Sequence, residues 1–522
     1  MKMIIINKGF VKDTCTLLID LKFSLDQKES YCHCSCPCQM AILCNLQALF
    51  HLLFACNLSS MFWRGIMLWR GITTNENENE PRPPNDCEEI IIDLPPQVLE
   101  PPPQWAKCCI YRVPRRLRQV KGESYTPKLI SIGPFHRDKE ELKDMEKLKL
   151  TYYMEFLQRT GTDPRDIASI IAKNQQKIIY CYDGGLEISS QDILKIVLLD
   201  SIFIIEYFVR ATAGGENGNN HLERTVSKPW LKGHITLDLI LLENQIPFFI
   251  LHKLYEKFFR RNSEVSFFKL ACEYFWKYLF SAETQELPEK KVKHFTDLIR
   301  YIYYPSELKT GNAVSFVYTA TKLYETGVRF KVIKERRFDT IKLEKWKPFG
   351  KCQCFNFSWL LIFLPCLKCL TCLEHMQSLL YLPSFVADNR TEDLFRNIMA
   401  LEQCHYPLKS YLCNYMVLLD HLINTSEDVE LLVDKEIIVN ALGSYEVVAT
   451  MVNKIAVEIV EENSCYSDVA KDLNNHYLKG CNRNIGYLKS TYFSNLWRST
   501  ATFVGLIILG FTLWDFVRST IK

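Results

Sequence analysis

Between Arg498 and Asp515 the chain runs through sixteen residues without a charge, Ser-Thr-Ala-Thr-Phe-Val-Gly-Leu-Ile-Ile-Leu-Gly-Phe-Thr-Leu-Trp. Such a stretch has few fates. As a helix it spans about 24 Å, or about 28 Å if continued to Arg518, against a hydrocarbon core of roughly 30 Å. The alternative is a helix buried in a protein core, which the length also permits. Trp497 and Trp514 stand where interfacial aromatics belong, and Arg498 and Arg518 can extend their charges to the headgroups. A transmembrane helix is therefore expected at 497–517. Lys479, Arg483, Lys489 and Arg498 precede it, against Arg518 and Lys522 after it, which orients the large body to the cytoplasm. The expectation is a single-pass, tail-anchored protein of the plasma membrane or an endomembrane, with the lipid bilayer as one partner.

A second apolar stretch, residues 40–70, is broken by Asn45, Gln47, His51 and Asn57. It starts too late for a secretory signal and shows no cleavage site, and as a span it is the weaker of the two. Eight of the 21 prolines lie between Pro81 and Pro103, after the string Asn75-Glu76-Asn77-Glu78-Asn79-Glu80. A segment of that composition buries too little apolar surface to offset the entropy of ordering, so 73–104 reads as a flexible linker closing a poorly ordered extension, 1–104. Cysteine is equally uneven: ten of 21 fall in residues 1–109 and five between Cys352 and Cys372, and the sparse remainder suits a reduced compartment. With 63 basic against 60 acidic residues the charge is too even for nucleic acid to be the partner.

The body reads as helices. Asp138 opens one as N-cap, with Glu141 in the reciprocal position; Leu142, Met145, Leu148, Tyr152, Tyr153 and Phe156 repeat at helical spacing, and Gly161 stops it. Asp163-Pro164 opens the next, carrying Ile167, Ile170 and Ile171 on one face. Ser190 caps a third, apolar nearly all round from Ile193 to Phe208, as befits a central buried helix. Helical patterns recur at 235–245, 248–260, 266–281, 292–303, 313–326, 391–404, 409–423, 427–440, 444–461 and 466–478, with brief alternation near Val328–Val332 and Leu380–Phe385. The fold class expected is mainly α: one large helical domain over 105–495 with a few short strands, followed by the transmembrane helix.

Several motifs in order are specific. Ile110-Tyr111-Arg112-Val113-Pro114, Tyr125-Thr126-Pro127-Lys128 and Ser131-Ile132-Gly133-Pro134-Phe135-His136 come first. Met145-Glu146-Lys147-Leu148-Lys149, Leu199-Asp200-Ser201-Ile202-Phe203 and Asp238-Leu239-Ile240-Leu241-Leu242-Glu243-Asn244-Gln245-Ile246-Pro247-Phe248 follow. Gly327-Val328-Arg329-Phe330, Arg396-Asn397-Ile398-Met399-Ala400-Leu401-Glu402-Gln403-Cys404 and Tyr492-Phe493 complete the series. Together they resemble the plant family known as domain of unknown function 247. The family is similar in having a C-terminal membrane helix, and some grass members are implicated in self-incompatibility recognition, so the resemblance implies binding of a protein partner. Residues 1–104 have no counterpart in its pattern, and an insert at about 348–378 separates Gly-Val-Arg-Phe from Leu380-Tyr381-Leu382-Pro383.

Four groups of residues are candidate sites. Cys32-His33-Cys34-Ser35-Cys36-Pro37-Cys38 has ligands too closely spaced for a structural zinc site. Cys366, Cys369, Cys372 and His375 recur every third residue, which on one helix spreads them around the axis. The cluster Arg112, Arg115, Arg116, Arg118 and Lys121 could meet anionic headgroups or a phosphorylated partner, a solvated loop being its commoner fate. Glu243-Asn244-Gln245 and Glu402-Gln403, with Asp200, Glu206, Asp238, Arg396 and Asn397, sit among apolar residues. They are either carboxylates poised for acid–base work or a buried network fixing helix register, with Arg396 holding Glu243 across the core. No nucleophile motif accompanies them, and the structural reading is preferred. No catalytic, cofactor-binding or metal residue is assigned, and no cofactor. The function expected is a membrane-anchored interaction or signalling protein without catalysis, the alternative being a membrane-bound enzyme using Asp200, Glu243 and Glu402.

Overall fold

The computed structural model describes residues 107–184, 186, 188–212, 228–260, 265–280, 287–333, 337–345, 378–492 and 496–521. The chain divides into two units, Met1–Pro101 and Pro102–Lys522, and every described residue belongs to the second. The Cys32–Cys38 run, the 40–70 stretch, the Pro-rich linker and the Cys366–His375 cluster lie outside the described residues.

The fold is mainly α-helical, as expected. The first half holds α1 (Arg115–Val120), α2 (Lys143–Thr160), α3 (Pro164–Ile179), α4 (Ser190–Thr212), α5 (Pro229–Asp238), α6 (Phe248–Phe258), α7 (Phe267–Phe275) and α8 (Phe295–Tyr303). The central helix is α4, buried continuously from Ile196 to Phe208 and packed against α2, α3, α6 and α7. An all-round apolar helix needs partners on every side, and aromatic rings supply much of the contact. Phe208 stacks on Tyr274 with centroids 4.1 Å apart, Phe203 stacks on Tyr207 at 5.6 Å, and Tyr152 meets Phe203 edge-on at 5.2 Å.

The second half holds α9 (Ala320–Glu325), α10 (Asn389–His405), α11 (Tyr411–Leu422), α12 (Ser426–Asp434), α13 (Tyr445–Ile455), α14 (Ser467–Leu478), α15 (Gly480–Tyr492) and α16 (Leu496–Ile521). Here α10 is the hub, touching α5, α8, α11 and α13. Short strands stitch the flank: β1 (Gly311–Asn312), β2 (Val328–Ile333), β3 (Lys342–Glu344), β4 (Ser378–Pro383), β5 (Phe385–Ala387), β6 (Ile438–Asn440) and β7 (Asn463–Ser464). The order β2-β4-β3 pairs β2 parallel to β4 (Val328 opposite Ser378) and β3 antiparallel to it (Leu343 opposite Leu380). β5 runs parallel to β6, and β1 antiparallel to β7. One continuous apolar core joins both halves, from Cys109 to Leu473.

Local signals hold in part. Gly161 ends α2 in the left-handed conformation (φ 62°), and the Asp163 side chain accepts from the Arg165 N–H to open α3. Asp138 is not the cap of α2. A 3₁₀ turn at Glu140–Leu142 buries Leu142 first, and the helix starts at Lys143. The cap of α4 is Ser189, one residue earlier than expected; its Oγ accepts from the Asp192 N–H at 3.1 Å. The helix expected over 427–440 stops at Asp434, because Glu436 turns left-handed (φ 58°) and 438–440 pair with β5. Of 313–326 only Ala320–Glu325 is helical, and 444–461 is helical to Ile455.

The largest departure is 235–245. The helix ends at Asp238, and 239–247 is irregular although every residue from Asp238 to Phe248 is buried.

α16 stands apart. Among the described residues, Trp497–Thr520 is one helix long and apolar enough to cross a membrane, with mean hydropathy 1.8 and none of its apolar window buried.

Gly133 marks the tightest backbone approach. It adopts φ +71°, and a Cβ there would sit 2.5 Å from the Gln245 carbonyl oxygen and 3.2 Å from the Tyr182 hydroxyl. Gly161 shares the left-handed conformation but has open space around it. In urea titrations of the full chain in detergent, Gly161→Ala should cost about 1–2 kcal/mol, the left-handed penalty alone. Gly133→Ala adds a clash with immobile backbone and should cost about 3 kcal/mol or more. Equal costs for the two would show that the approach of 133 to 245 is not a close one.

Candidate functional site

Two irregular segments, 128–133 and 239–247, lie side by side in the core with no ladder or helix to satisfy their peptide groups. A buried N–H or C=O without a partner costs about 1–3 kcal/mol, so such segments survive only if side chains bond them. The Asp238 carboxylate accepts from the N–H groups of Lys128, Leu129 and Ile130 at 3.0, 2.7 and 2.8 Å. Asn244 accepts from the Ile132 N–H at 2.6 Å and donates to the carbonyls of Ile130 (3.0 Å) and Asp238 (2.8 Å). Gln245 donates to the carbonyls of Leu239 and Leu241, both at 2.7 Å, and accepts from the Phe295 N–H at 2.9 Å. From α10, Asn397 accepts from the Leu242 N–H at 2.9 Å and donates to the carbonyls of Ser124 and Asp393, both at 2.7 Å. These side chains compete for the groups that would otherwise close a helix, which explains why the helical pattern over 239–245 is not realised.

The carboxylates sit on the rim of this network. Asp200, on α4, accepts from the Gly133 N–H at 2.8 Å and pairs with Lys149 at 2.6 Å. Lys149 is fully buried, and its ammonium also reaches Glu146 at 2.5 Å and the Ser131 carbonyl. Burial raises the pKa of Asp200, with Lys149 opposing, and burial raises that of Asp238 against its three backbone donors. Glu402 accepts from Arg300 at 2.8 Å and from the Cys413 N–H at 2.9 Å, and Glu206 is held by Arg159 and Arg210.

Glu243 does not meet Arg396. Its carboxylate accepts from the Val113 N–H at 2.7 Å and contacts Arg118 at 2.6 Å and His136 Nε2 at 3.0 Å. Burial pushes its pKa up, but His136, the Val113 amide and Arg118 outweigh it and hold the carboxyl below its ordinary value. Arg396 instead pairs with Glu392 one turn away on α10, at 2.9 Å, a partner that needs no reach across the core. The basic cluster is helical in part, with Arg112 and Lys121 in the irregular backbone on either side. α1 spans 115–120 and aims Arg118 at Glu243, Lys121 bonds Glu392 at 2.8 Å, and the Arg112 guanidinium lies 4.3 Å from the Phe135 ring centre. Arg115 and Arg116 remain exposed.

Sequence reasoning missed Lys149 and Asp393 as members. The signal for Lys149 was present: it shares the i, i+3, i+4, i+7 stripe with Tyr152, Tyr153 and Phe156, where a charge must be buried. His294 was missed as well. Its Nε2 lies 2.9 Å from the Cys109 carbonyl oxygen, so that nitrogen carries the proton, and Nδ1 has no partner among the described residues. Burial lowers the His294 pKa to about 4, with Asp297 and the carbonyl opposing. Chemically, this network fixes acceptors against donors. Among the described residues no three His, Cys, Asp or Glu side chains converge to hold a metal ion.

These features define a mainly α-helical protein with a core tied together by side-chain-to-backbone bonds and with an exposed apolar helix near its C-terminus. The family model of domain of unknown function 247, plant proteins of unknown function, matches residues 110–511, and the chain belongs to that family. It is similar to UPF0481 protein At3g47200 of Arabidopsis thaliana, 25% identical over 441 residues that cover 78% of this chain and 85% of the relative. It is also similar to putative UPF0481 protein At3g02645 of the same plant, 32% identical over 152 residues, 28% of this chain and 27% of the relative. No solved structure matches it.

Two outcomes follow from the geometry. Glu243→Gln should cost about 2–3 kcal/mol in urea unfolding, below the 3–5 of a sealed pair because Arg118 is a third exposed and can turn to water. Arg118→Gln should then be strongly non-additive with it, whereas Arg396→Gln should add; additivity with Arg118 would disprove the pairing. The second concerns acid. A histidine near pKa 4 when folded and about 6.5 when unfolded leaves the unfolded state binding the extra proton between those values, so stability is full above pH 6.5 and falls towards pH 4. The loss amounts to about 3 kcal/mol. His294→Gln keeps a donor for the Cys109 carbonyl without titrating, and should flatten that part of the pH profile relative to wild type. An unchanged slope would reject the assignment.

Proposed function

We propose that the chain is a membrane-anchored protein whose helical domain, residues 105–495, presents a rigid surface to a protein partner and performs no catalysis. The observation that carries this reading is α16: an apolar helix of 24 residues with none of its apolar window buried has its side chains in contact with solvent in the isolated chain, and a bilayer is the environment that removes them from water. The excess of Lys and Arg before it supports a cytoplasmic domain. The carboxylates favour a scaffold over an enzyme. Asp200, Glu243 and Glu402 each face a cation and a backbone N–H at fixed distance, which is the arrangement of a group that holds structure together. Partner recognition is what the family resemblance implies.

Deleting residues 497–522 should move the protein from the membrane fraction to the soluble one with its helical circular dichroism and cooperative unfolding retained. A truncated chain that still pellets with membranes under carbonate wash would overturn the assignment of the anchor.

A further inference from the structure

A cleft of about 320 Å³ opens between the 290–293 segment, α8 and the turn leading into α11, with the Arg300 that pairs with Glu402 in its lining. Lys290, Lys291, Lys293, Arg300 and Lys409 line it, together with Tyr301, Tyr304, Tyr406 and Tyr411. Val292 is buried and pins the segment, leaving Lys291 and Lys293 exposed on either side of it. Neither lysine has an ion-pair partner among the described residues. At the floor, Arg300 spends Nε on Glu402 and one terminal nitrogen on the Lys409 carbonyl, while Nη1 bonds nothing among the described residues. Its guanidinium lies 4.2 Å from the Tyr406 ring centre and 5.3 Å from that of Tyr411, so its direction is fixed.

Tyr301, Tyr304 and Tyr411 are buried, Tyr406 is partly exposed, and none of the four offers a donor. Their hydroxyls are already committed: Tyr301 to the Pro288 carbonyl, Tyr304 to the Tyr411 carbonyl, Tyr406 to Asp297 and Tyr411 to the Leu308 carbonyl. Donors for a ligand therefore come from the cations, with the Ser306 hydroxyl and the His405 ring also on the lining. Asp297, Glu307 and the underlying Glu402 offset three of the five positive charges, which leaves two. An excess of two matches a phosphate monoester, which carries about −1.5 to −2 at neutral pH, better than a single carboxylate. The volume lies at the small end of the roughly 300–1,000 Å³ typical of small-molecule sites.

We propose that this cleft binds a small organic phosphate monoester, its phosphate held between Lys291, Lys293 and Arg300 and its body laid against the exposed part of Tyr406. The site is independent of the membrane-anchoring reading and stands whether or not α16 enters a bilayer. The test is calorimetric titration of the full chain in detergent, in a phosphate-free buffer, with phenyl phosphate, inorganic phosphate and phenol. Phenyl phosphate should bind saturably, inorganic phosphate at least fivefold more weakly, and phenol not measurably. Lys291→Gln/Lys293→Gln should weaken phenyl phosphate at least tenfold while the melting temperature stays at the wild-type value, since neither side chain is buried or paired. No saturable binding to the wild-type protein overturns the proposal, as does phenol binding as tightly as its phosphate. Inorganic phosphate binding as tightly as the ester overturns the assignment of the ligand class, and undiminished affinity in the double variant overturns the assignment of the lysines. The three wild-type titrations decide the matter even if the variant melts lower.

Discussion

Everything central in this protein depends on two buried stretches of irregular backbone being satisfied by side chains. Segments 130–133 and 239–247 carry peptide groups into the core where neither water nor a sheet can bond them. Asp238, Asn244, Gln245 and Asn397 supply more than ten hydrogen bonds to backbone between them. Each such bond contributes only about 1 kcal/mol net, yet leaving its group unmade costs more, so the network is held by the penalty for breaking it. It also fixes geometry. Asn397 on α10 reaches back to Leu242 and Ser124, and Gln245 reaches forward to the start of α8, which locks the two halves of the domain in one register.

The charged groups follow from that arrangement. α4 is apolar enough to be surrounded, but Asp200 projects from it to the Gly133 amide, and the buried carboxylate then requires Lys149. Lys149 in turn needs Glu146 and the Ser131 carbonyl to use its remaining protons. Glu243 plays the same part at the surface of the network, tying α1 and the 110–114 segment to the core through Arg118 and Val113. The carboxylates are thus held by cations and backbone donors inside the body, while α16 and the lysine-rimmed cleft lie on its outside.

The apolar helix α16 and the polar network impose opposite demands. The network is sealed and self-sufficient. The helix exposes Phe503, Leu506, Ile507, Ile508, Leu509, Phe511 and Trp514, an apolar column that soluble proteins do not leave uncovered. Its sequence alone distinguishes it from α4, which is as apolar but carries Asp200 and Glu206 at positions that need buried partners.

Periodicity and end signals were enough for the fold class, while Arg115–Val120 and Gly480–Tyr492 are helices that the pattern did not reveal. The stripe of α2, the Asp163-Pro164 start, the Gly161 stop and the all-round apolarity of α4 are local properties, and the chain obeys them because nothing non-local opposes them there. Their apolar neighbours likewise pointed to Asp200, Glu243, Asn244, Gln245, Asn397 and Glu402 as buried polar residues. Partners were another matter. Whether Glu243 met Arg396 or Arg118 depended on which chain segment folded over it, and a residue 125 positions before it won over one 153 positions after it because Arg396 already had Glu392 one turn away. The same holds for 239–247, helical by pattern and irregular in fact, since side chains that bond backbone outcompete a helix only when a second buried segment is there to receive them. The sequence by itself determined which residues must be buried and which stretches are mainly helical; the tertiary structure alone decided where several of those helices stop and which donors face which acceptors, because those choices depend on distances between segments that no local pattern encodes.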